Sequence, residues 1–316
     1  MLHRIIEVIE RCGKFLVTGH ERLDGDAIGS ELALYHLLVG MEKDAVVYND
    51  DTIPGNYRFL PGSEYVVQEL DDMSVYEAVF VLDCSELKRV GKMAERIGRI
   101  PEIVNIDHHM SNGGFSQLTM IDSAASSTGE LLYRLIKTMG RAITKDMATN
   151  LYTAILTDTG GFRYGSTNAA SLMAAADLVE KGASPQWISE HVYESDPPAK
   201  IHLLTRVLGT LSLDCEGKVG SVMVTLRDFE LTGTMPEHTE NFVDVPRTIE
   251  GVIVSILYQE IEDRFFKVSL RSKGTFNIER VARAFGGGGH LNAAACRIRG
   301  DIESVKQRIL NEITAG

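Results

Sequence analysis

The chain has 316 residues, 44% of them hydrophobic and 24% charged, with a net charge of −12. That length exceeds what one ordinary core needs, so two domains are expected. Such acidity argues against wrapping long duplex nucleic acid, whose binding rests on phosphate neutralisation, but leaves room for a short anionic substrate in a local cationic pocket. No apolar run reaches the roughly 18 residues of a membrane span. Four cysteines (Cys12, Cys84, Cys215, Cys296) without a C-x-x-C pair point to reduced thiols in the cytoplasm.

In chain order, Leu2, Ile5, Ile6 and Ile9 share one face of an N-terminal helix, and Glu7 and Glu10 break any signal-peptide core. "KFLVTGH" reads as a strand, "DAIGSELALYHLLVG" as a helix closed by Gly40, and "DAVVYN", "EAVFVLD" and "PEIVNID" as further strands. "SSTGELLYRLIKTMG" is a helix with Ser127 and Glu130 in capping-box spacing and Gly140 as its stop. "KDMATNLYTAILTDTGG" is another. This alternation predicts an α/β fold, a doubly wound and mostly parallel sheet. The texture changes across 184–200, where proline is frequent and periodicity weak, followed by a connecting helix over 200–214. The remainder reads as a smaller α+β domain. The expected division is 1–190, a connection over 191–215, and 216–316.

In such a sheet, ligands bind outside the carboxyl ends of the strands. The first strand runs into His20, Asp24 and Asp26, the third into Asp83, the fourth into Asp107, His108 and His109, and the helix over 147–157 into Asp158. Taken singly, each has a plain reading: Asp24 to Asp26 is a turn and a helix cap, and a lone Asp after a strand is more often a cap than a ligand. His3, His36, His191, His202 and His238 keep the reading of satisfied polar residues. As a set, the carboxylates are harder to dismiss. Crowded on one sheet edge they would repel, and cations relieve that. Five carboxylates with two or three imidazoles suit two divalent ions about 3.5–4 Å apart, bridged by one carboxylate. Mixed oxygen and nitrogen donors favour manganese over magnesium, and with no thiolate among them a structural zinc site is not expected.

The ordered motifs "H-x-x-x-D-x-D" (His20, Asp24, Asp26), "LDCSE" (Asp83), "DHH" (Asp107 to His109) and "LTDTGGF" (Asp158) resemble those of the DHH phosphoesterases. "FGGGGHLNAAAC" resembles the glycine-rich signature of the DHH-associated C-terminal domain. The resemblance covers nearly the whole chain and is nearest to the compact two-domain bacterial subgroup, the bifunctional oligoribonucleases and pAp phosphatases. It implies one ion on His20, Asp24 and Asp83 and a second on Asp26, Asp83, His108 and Asp158. Asp83 would bridge them, His109 would face the scissile phosphate, and Asp107 would hold the site in shape.

On the substrate side, "GGGG" by composition alone is a loose loop. Its place after "NIERVARAF" and before His290 suits a backbone that approaches an anion closely. Arg271 would supply a cationic fork for a terminal phosphate, against the plain reading of a solvated strand-end arginine. Gly287, Gly288, Gly289, His290 and Arg163 complete the expected substrate-binding set, while Arg280 and Arg283 are expected on a solvated helix face. The expected activity is manganese-dependent hydrolysis of short single-stranded oligoribonucleotides to mononucleotides, with removal of the 3′-phosphate of pAp. The alternatives are a soluble phosphodiesterase for linear or cyclic dinucleotides and a non-catalytic nucleotide-binding regulator. Neither a membrane nor long duplex is expected as a partner; the oligomeric state stays open, a homodimer included.

Overall fold

Every residue of the strand Ala78–Leu82 is buried, as a central parallel strand covered on both faces demands. The structure, a computed structural model, describes residues 1–315 and, of His290, the backbone alone. It divides into two compact units, Met1–Ser195 and Asp196–Gly316.

The first unit comprises α1 (Leu2–Arg11), β1 (Lys14–Thr18), α2 (Gly25–Gly40), β2 (Asp44–Tyr48), β3 (Val66–Val67), β4 (Ala78–Leu82), α3 (Ala94–Ile97), β5 (Glu102–Asp107), β6 (Leu118–Ile121), α4 (Thr128–Thr138), α5 (Lys145–Asp158), α6 (Ala169–Glu180) and α7 (Pro185–Tyr193). Its strands lie in the order β3-β2-β1-β4-β5-β6, all parallel, so the doubly wound fold is present. The order reverses between β1 and β4, where a crevice opens at the carboxyl ends of a doubly wound sheet. On one face Phe15, Val17, Phe80 and Val104 pack with Ile28, Leu32, Leu131 and Ile155 from α2, α4 and α5. On the other, Leu16, Tyr48 and Val79 pack with Val90, Met93 and Ile97. Each such fully buried apolar side chain contributes about 1.5–3 kcal/mol relative to exposure.

Helices α2 and α5 approach closely. A Cβ at Gly29 would lie 2.6 Å from the Asn150 carbonyl oxygen and 3.1 Å from the Ala154 Cβ, so only glycine fits the seam. The start of α2, carrying Asp26, and the end of α5, carrying Asp158, are thereby drawn to one place.

The weakly periodic stretch 184–200 is more ordered than its texture suggests. Pro185 sits in the first turn of α7, where its missing N–H costs nothing, and the Ser184 hydroxyl accepts from Trp187 N. Proline there marks helix starts, in the stretch where the two units divide. Similarly, the helix expected over 200–214 stops early: α8 (Pro198–Leu208) is followed by β7 (Ser212–Asp214), which pairs with β8 (Val219–Val224).

The second unit continues with α9 (Leu226–Thr232), β9 (Val254–Glu262), β10 (Phe265–Ser272), α10 (Glu279–Ala284), β11 (Gly288–His290), β12 (Ala293–Arg299) and α11 (Ile302–Thr314). Its strands run β11-β12-β10-β9-β8-β7, antiparallel apart from the β8–β9 pair. Strand β10 alternates half-buried and buried residues, and its inner face packs Val268 and Leu270 against Val281, Ile298 and Ile309. Among the described residues no helix is long and apolar enough to cross a membrane.

Candidate metal centre

The acidic and imidazole side chains at the ends of β1, β4 and β5 and of α5 do converge. Three groups hold ligand atoms within 4.8 Å of one another: His20 with Asp24 and Asp83, Asp26 with His108 and Asp158, and Asp83 with His108 and His109. Asp83 belongs to two of them. It is buried at the end of β4 with φ at +51°, a backbone region that Asp and Asn enter more readily than other side chains. His20 Nε2 stands 3.2 Å from Asp83 Oδ2 and 3.6 Å from Asp24 Oδ2. His108 Nε2 stands 3.5 Å from Asp83 Oδ1 and 3.3 Å from Asp158 Oδ2.

Local structure aims these groups. The His20 Nδ1 pairs with the Glu21 carbonyl at 2.7 Å, so the proton belongs on that nitrogen and Nε2 is left for a ligand. Asp24 combines its two readings: Oδ1 caps α2 by accepting from Asp26 N and Ala27 N, while Oδ2 turns to His20. Asp107 accepts from His109 Nδ1 at 2.6 Å and from Asn112 Nδ2 at 2.6 Å. Asp26 accepts from the backbone N–H groups of Thr128 and Gly129.

The charges conflict as cations would relieve. Burial, then the nearby Asp83 and Asp158, pushes the Asp26 carboxyl well above its usual range. Burial, Asp83 and Asp24 do the same to Asp158. Burial opposes charge on the His20 imidazole, yet Asp24 and Asp83 prevail and push it up to about 12. Burial also opposes an ionised Asp83, but the His20 hydrogen bond and the three imidazoles hold its carboxyl below the usual range. His109 is raised against its own burial by Asp107 and Asp83. The donors are carboxylate oxygens and imidazole nitrogens; the Cys84 thiol, next to Asp83, instead donates to the Glu86 carbonyl. Such a set fits hard or borderline divalent ions.

The other expected site residues are placed differently. Arg163 is exposed just beyond α5, its Nε donating to the Gly160 carbonyl at 2.6 Å. In the second unit, Arg271 is half-buried on β10 and donates to the Leu270 carbonyl. The register aligns Arg271 with Ala293, and Ala293 with residue 290, across β10, β12 and β11. The side chain of His290 lies outside the described residues. The "GGGG" run is not a loose loop, because Gly288 and Gly289 belong to β11. A Cβ at Gly287 or Gly289 would meet the Ala295 or Ala293 carbonyl at 2.1 or 2.3 Å, so close packing on β12 accounts for those two glycines. Arg283 is exposed, whereas Arg280 is half-buried 3.6 Å from Glu312, not fully solvated as expected.

Two features escaped the sequence reading. Glu31, on α2 among apolar residues, is fully buried, accepts from Asn49 Nδ2 at 2.6 Å, and is pushed up to about 8 by burial. Thr128 donates its hydroxyl to Asp83 Oδ1 at 3.1 Å.

Comparison with known proteins agrees with this geometry. Residues 14–155 match the N-terminal domain of the DHH family, and residues 225–315 match the DHHA1 domain. The bifunctional oligoribonuclease and PAP phosphatase NrnA of Thermus thermophilus is 31% identical over 99% of this chain and 92% of its own. The chain belongs to the DHH family. The Bacillus subtilis protein of the same name is 26% identical to this DHH chain over 94% of it and 93% of the relative. The crystal structure of an exopolyphosphatase-related protein from Bacteroides fragilis superposes on the DHH chain with a TM-score of 0.94 at 30% identity, covering 99% of this chain and 95% of the other.

Proposed function

We propose that this protein is a two-metal phosphoesterase, using manganese, that hydrolyses short single-stranded oligoribonucleotides to mononucleotides and removes the 3′-phosphate of pAp. The observation that carries the reading is the pair of ligand groups, His20 with Asp24 and Asp83 and Asp26 with His108 and Asp158, joined through Asp83 and its contact with His108. Near-full-length similarity to two proteins named as oligoribonuclease and PAP phosphatase supports the substrate class.

His20, Asp24 and Asp83 would hold one ion, and Asp26, Asp83, His108 and Asp158 the other. When bound, the ions supply Lewis acidity to the phosphoryl oxygens and acidify the attacking water. The chain's own contribution centres on His109. Its Nδ1 pairs with Asp107, and Asp107 and Asp83 raise its pKa against burial, so in its protonated form the ring would offer Nε2 as a donor for the charge that develops on the phosphoryl group. Water attacks phosphorus, the P–O bond to the leaving ribose oxygen breaks, and that oxygen takes up a proton. Arg271, the backbone of Gly287, Gly288 and Gly289, His290 and Arg163 are assigned to holding the remaining nucleotide and its terminal phosphate. On this reading catalysis resides in 1–190 and substrate recognition mainly in 216–316, with Arg163 of the first domain assisting, and the enzyme works in the cytoplasm.

The test is a manganese-supplemented assay with pAp beside labelled RNA oligomers of two to about twenty nucleotides, and with linear and cyclic dinucleotides. Release of AMP from pAp together with shortening of the shortest RNAs is expected. Hydrolysis of cyclic dinucleotides alone would move the protein to the alternative phosphodiesterases. No hydrolysis of any of them would leave only a binding role.

A further inference from the structure

The first turn of α4 is occupied by the carboxylates of the metal centre. Thr128 is fully buried at the first position of that helix. Its backbone N–H donates to Asp26 Oδ2 at 2.7 Å, and the next N–H, of Gly129, donates to Asp26 Oδ1 at 2.9 Å. Its hydroxyl donates to Asp83 Oδ1 at 3.1 Å. The two amide bonds also satisfy first-turn N–H groups that have no partner within the helix, but the hydroxyl bond is not required to start it. The cap is Ser127, whose hydroxyl accepts from Glu130 N at 3.0 Å. The Glu130 carboxylate, which in a full capping box would return to Ser127, instead accepts from Ser126 N at 2.8 Å. The Thr128 hydroxyl is therefore spare as far as the helix is concerned, and it points at the carboxylate shared by two ligand groups.

That hydroxyl has competitors. Asp83 Oδ1 also stands 3.4 Å from His109 Nδ1 and 3.5 Å from His108 Nε2. Without a fixed donor, the carboxylate would be free to turn onto either imidazole. His109 would then be drawn off Asp107, and a ligand oxygen would be lost to that contact. A hydroxyl can hold one lone pair of Oδ1 and leave the others available.

We propose that Thr128 is a positioning residue of the metal centre: its hydroxyl sets the rotation of the Asp83 carboxylate, while its amide and that of Gly129 set Asp26. One helix start thus fixes a carboxylate from each of the two main ligand groups relative to the other. This rests on the two-ion reading above. Gly129 keeps the helix start in place, since a Cβ there would lie 2.5 Å from the Ala154 Cβ of α5.

The test is a calorimetric manganese titration of the metal-stripped full chain, with folding followed by circular dichroism. Thr128→Val removes the hydroxyl and preserves shape. It should retain the parent's spectrum and weaken manganese binding roughly 10- to 100-fold, the usual effect of losing a group that orients a metal ligand. Thr128→Ser keeps the hydroxyl and loses a buried methyl. It should melt earlier yet bind manganese near parental affinity. Should Thr128→Val not fold, Thr128→Ala removes the same hydroxyl without added bulk and must show the same loss. A merely structural role would move the melting temperature in all variants and leave affinity alone. If the parent binds two ions and the hydroxyl-free variants match it, the role of Thr128 is overturned and the two-ion reading stands. If the parent itself takes up no manganese, the two-ion reading is what fails, and this proposal with it.

Discussion

Gly29→Ala tests whether the α2–α5 seam builds the site. In a free helix interior, replacing glycine by alanine stabilises by about 0.5–1 kcal/mol. At Gly29 the new methyl would lie 2.6 Å from a backbone carbonyl of α5 and 3.2 Å from the Ala154 amide nitrogen, neither of which can swing aside. Overpacking of this kind typically costs about 1–3 kcal/mol, so the net should be a loss of about 1–2 kcal/mol. The sign is thus opposite to propensity. Gly40, also in α2, has nothing within 4 Å of its Cβ position, and Gly40→Ala should be neutral or slightly stabilising. The chain's single tryptophan, Trp187, sits in α7 of the same unit against Phe59, so its fluorescence during urea unfolding reports the right transition. With a urea slope of about 2 kcal/mol/M, the Gly29→Ala midpoint should fall by about 0.5–1 M. Manganese affinity should fall as well, because Asp26 and Asp158 ride on the two helices being forced apart. A Gly29→Ala protein as stable as the parent, or more so, would refute the seam as the device that joins them.

Other outcomes are equally specific. Glu31 is held protonated up to about pH 8, against an ordinary value of 4.5, so the native state keeps a proton that the unfolded chain releases. Its favourable contribution is complete below pH 4.5 and is lost progressively up to about pH 8, by as much as about 4–5 kcal/mol. Glu31→Gln should flatten that part of the stability profile in urea titrations at stepped pH, and an unchanged slope would show that Glu31 ionises freely. Asp83→Asn, chosen because asparagine tolerates the positive φ, should abolish hydrolysis and lower bound manganese while the fold survives; near-normal turnover with full metal content would remove Asp83 as the bridge. Asp26, Asp158 and His20 all bind a proton more tightly than usual, so a metal ion would compete with protons at each. Manganese binding should therefore strengthen as pH rises and release protons, measurable as a buffer-dependent calorimetric enthalpy. Arg271→Ala should lower the efficiency on pAp and dinucleotides by roughly 10- to 100-fold, as expected for a charged hydrogen bond, with metal content unchanged.

The cluster of candidate ligands was legible because metal chemistry restricts residue type: Asp and His repeatedly ending apolar strands is a pattern that core packing does not produce. The parallel strands were legible for the related reason that burial on both faces leaves continuous β-branched runs. Thr128 was hidden by its own motif, since "SSTGE" is fully explained as a helix start and nothing in one dimension shows that its hydroxyl is spare. Glu31 was hidden because a buried acid looks like any polar residue on a helix until its surroundings are known. The short strands β3 and β6 are too brief for periodicity to register, and α7 was obscured by proline, which reads as a breaker unless its position in the first turn is seen. That Gly288 and Gly289 would form a strand was not legible, because the strand β12 they pair with is not revealed as adjacent by sequence.

The ligands of the centre are spread from His20 to Asp158, and this has a consequence for the protein as it leaves the ribosome. At about 5–20 residues per second, synthesis takes roughly 7–28 seconds to pass from the first ligand to the last. Until the end of that interval α2 has no complete α5 to cover its glycine seam, although His108 and Thr128 have by then been made. The candidate group of His20, Asp24 and Asp83 is complete once residue 83 is made, whereas that of Asp26, His108 and Asp158 waits for the end of α5. On the two-ion proposal, completion of the centre is thus timed by the arrival of α5, and occupancy of both sites would be a late event in the life of the chain rather than a seed for its folding.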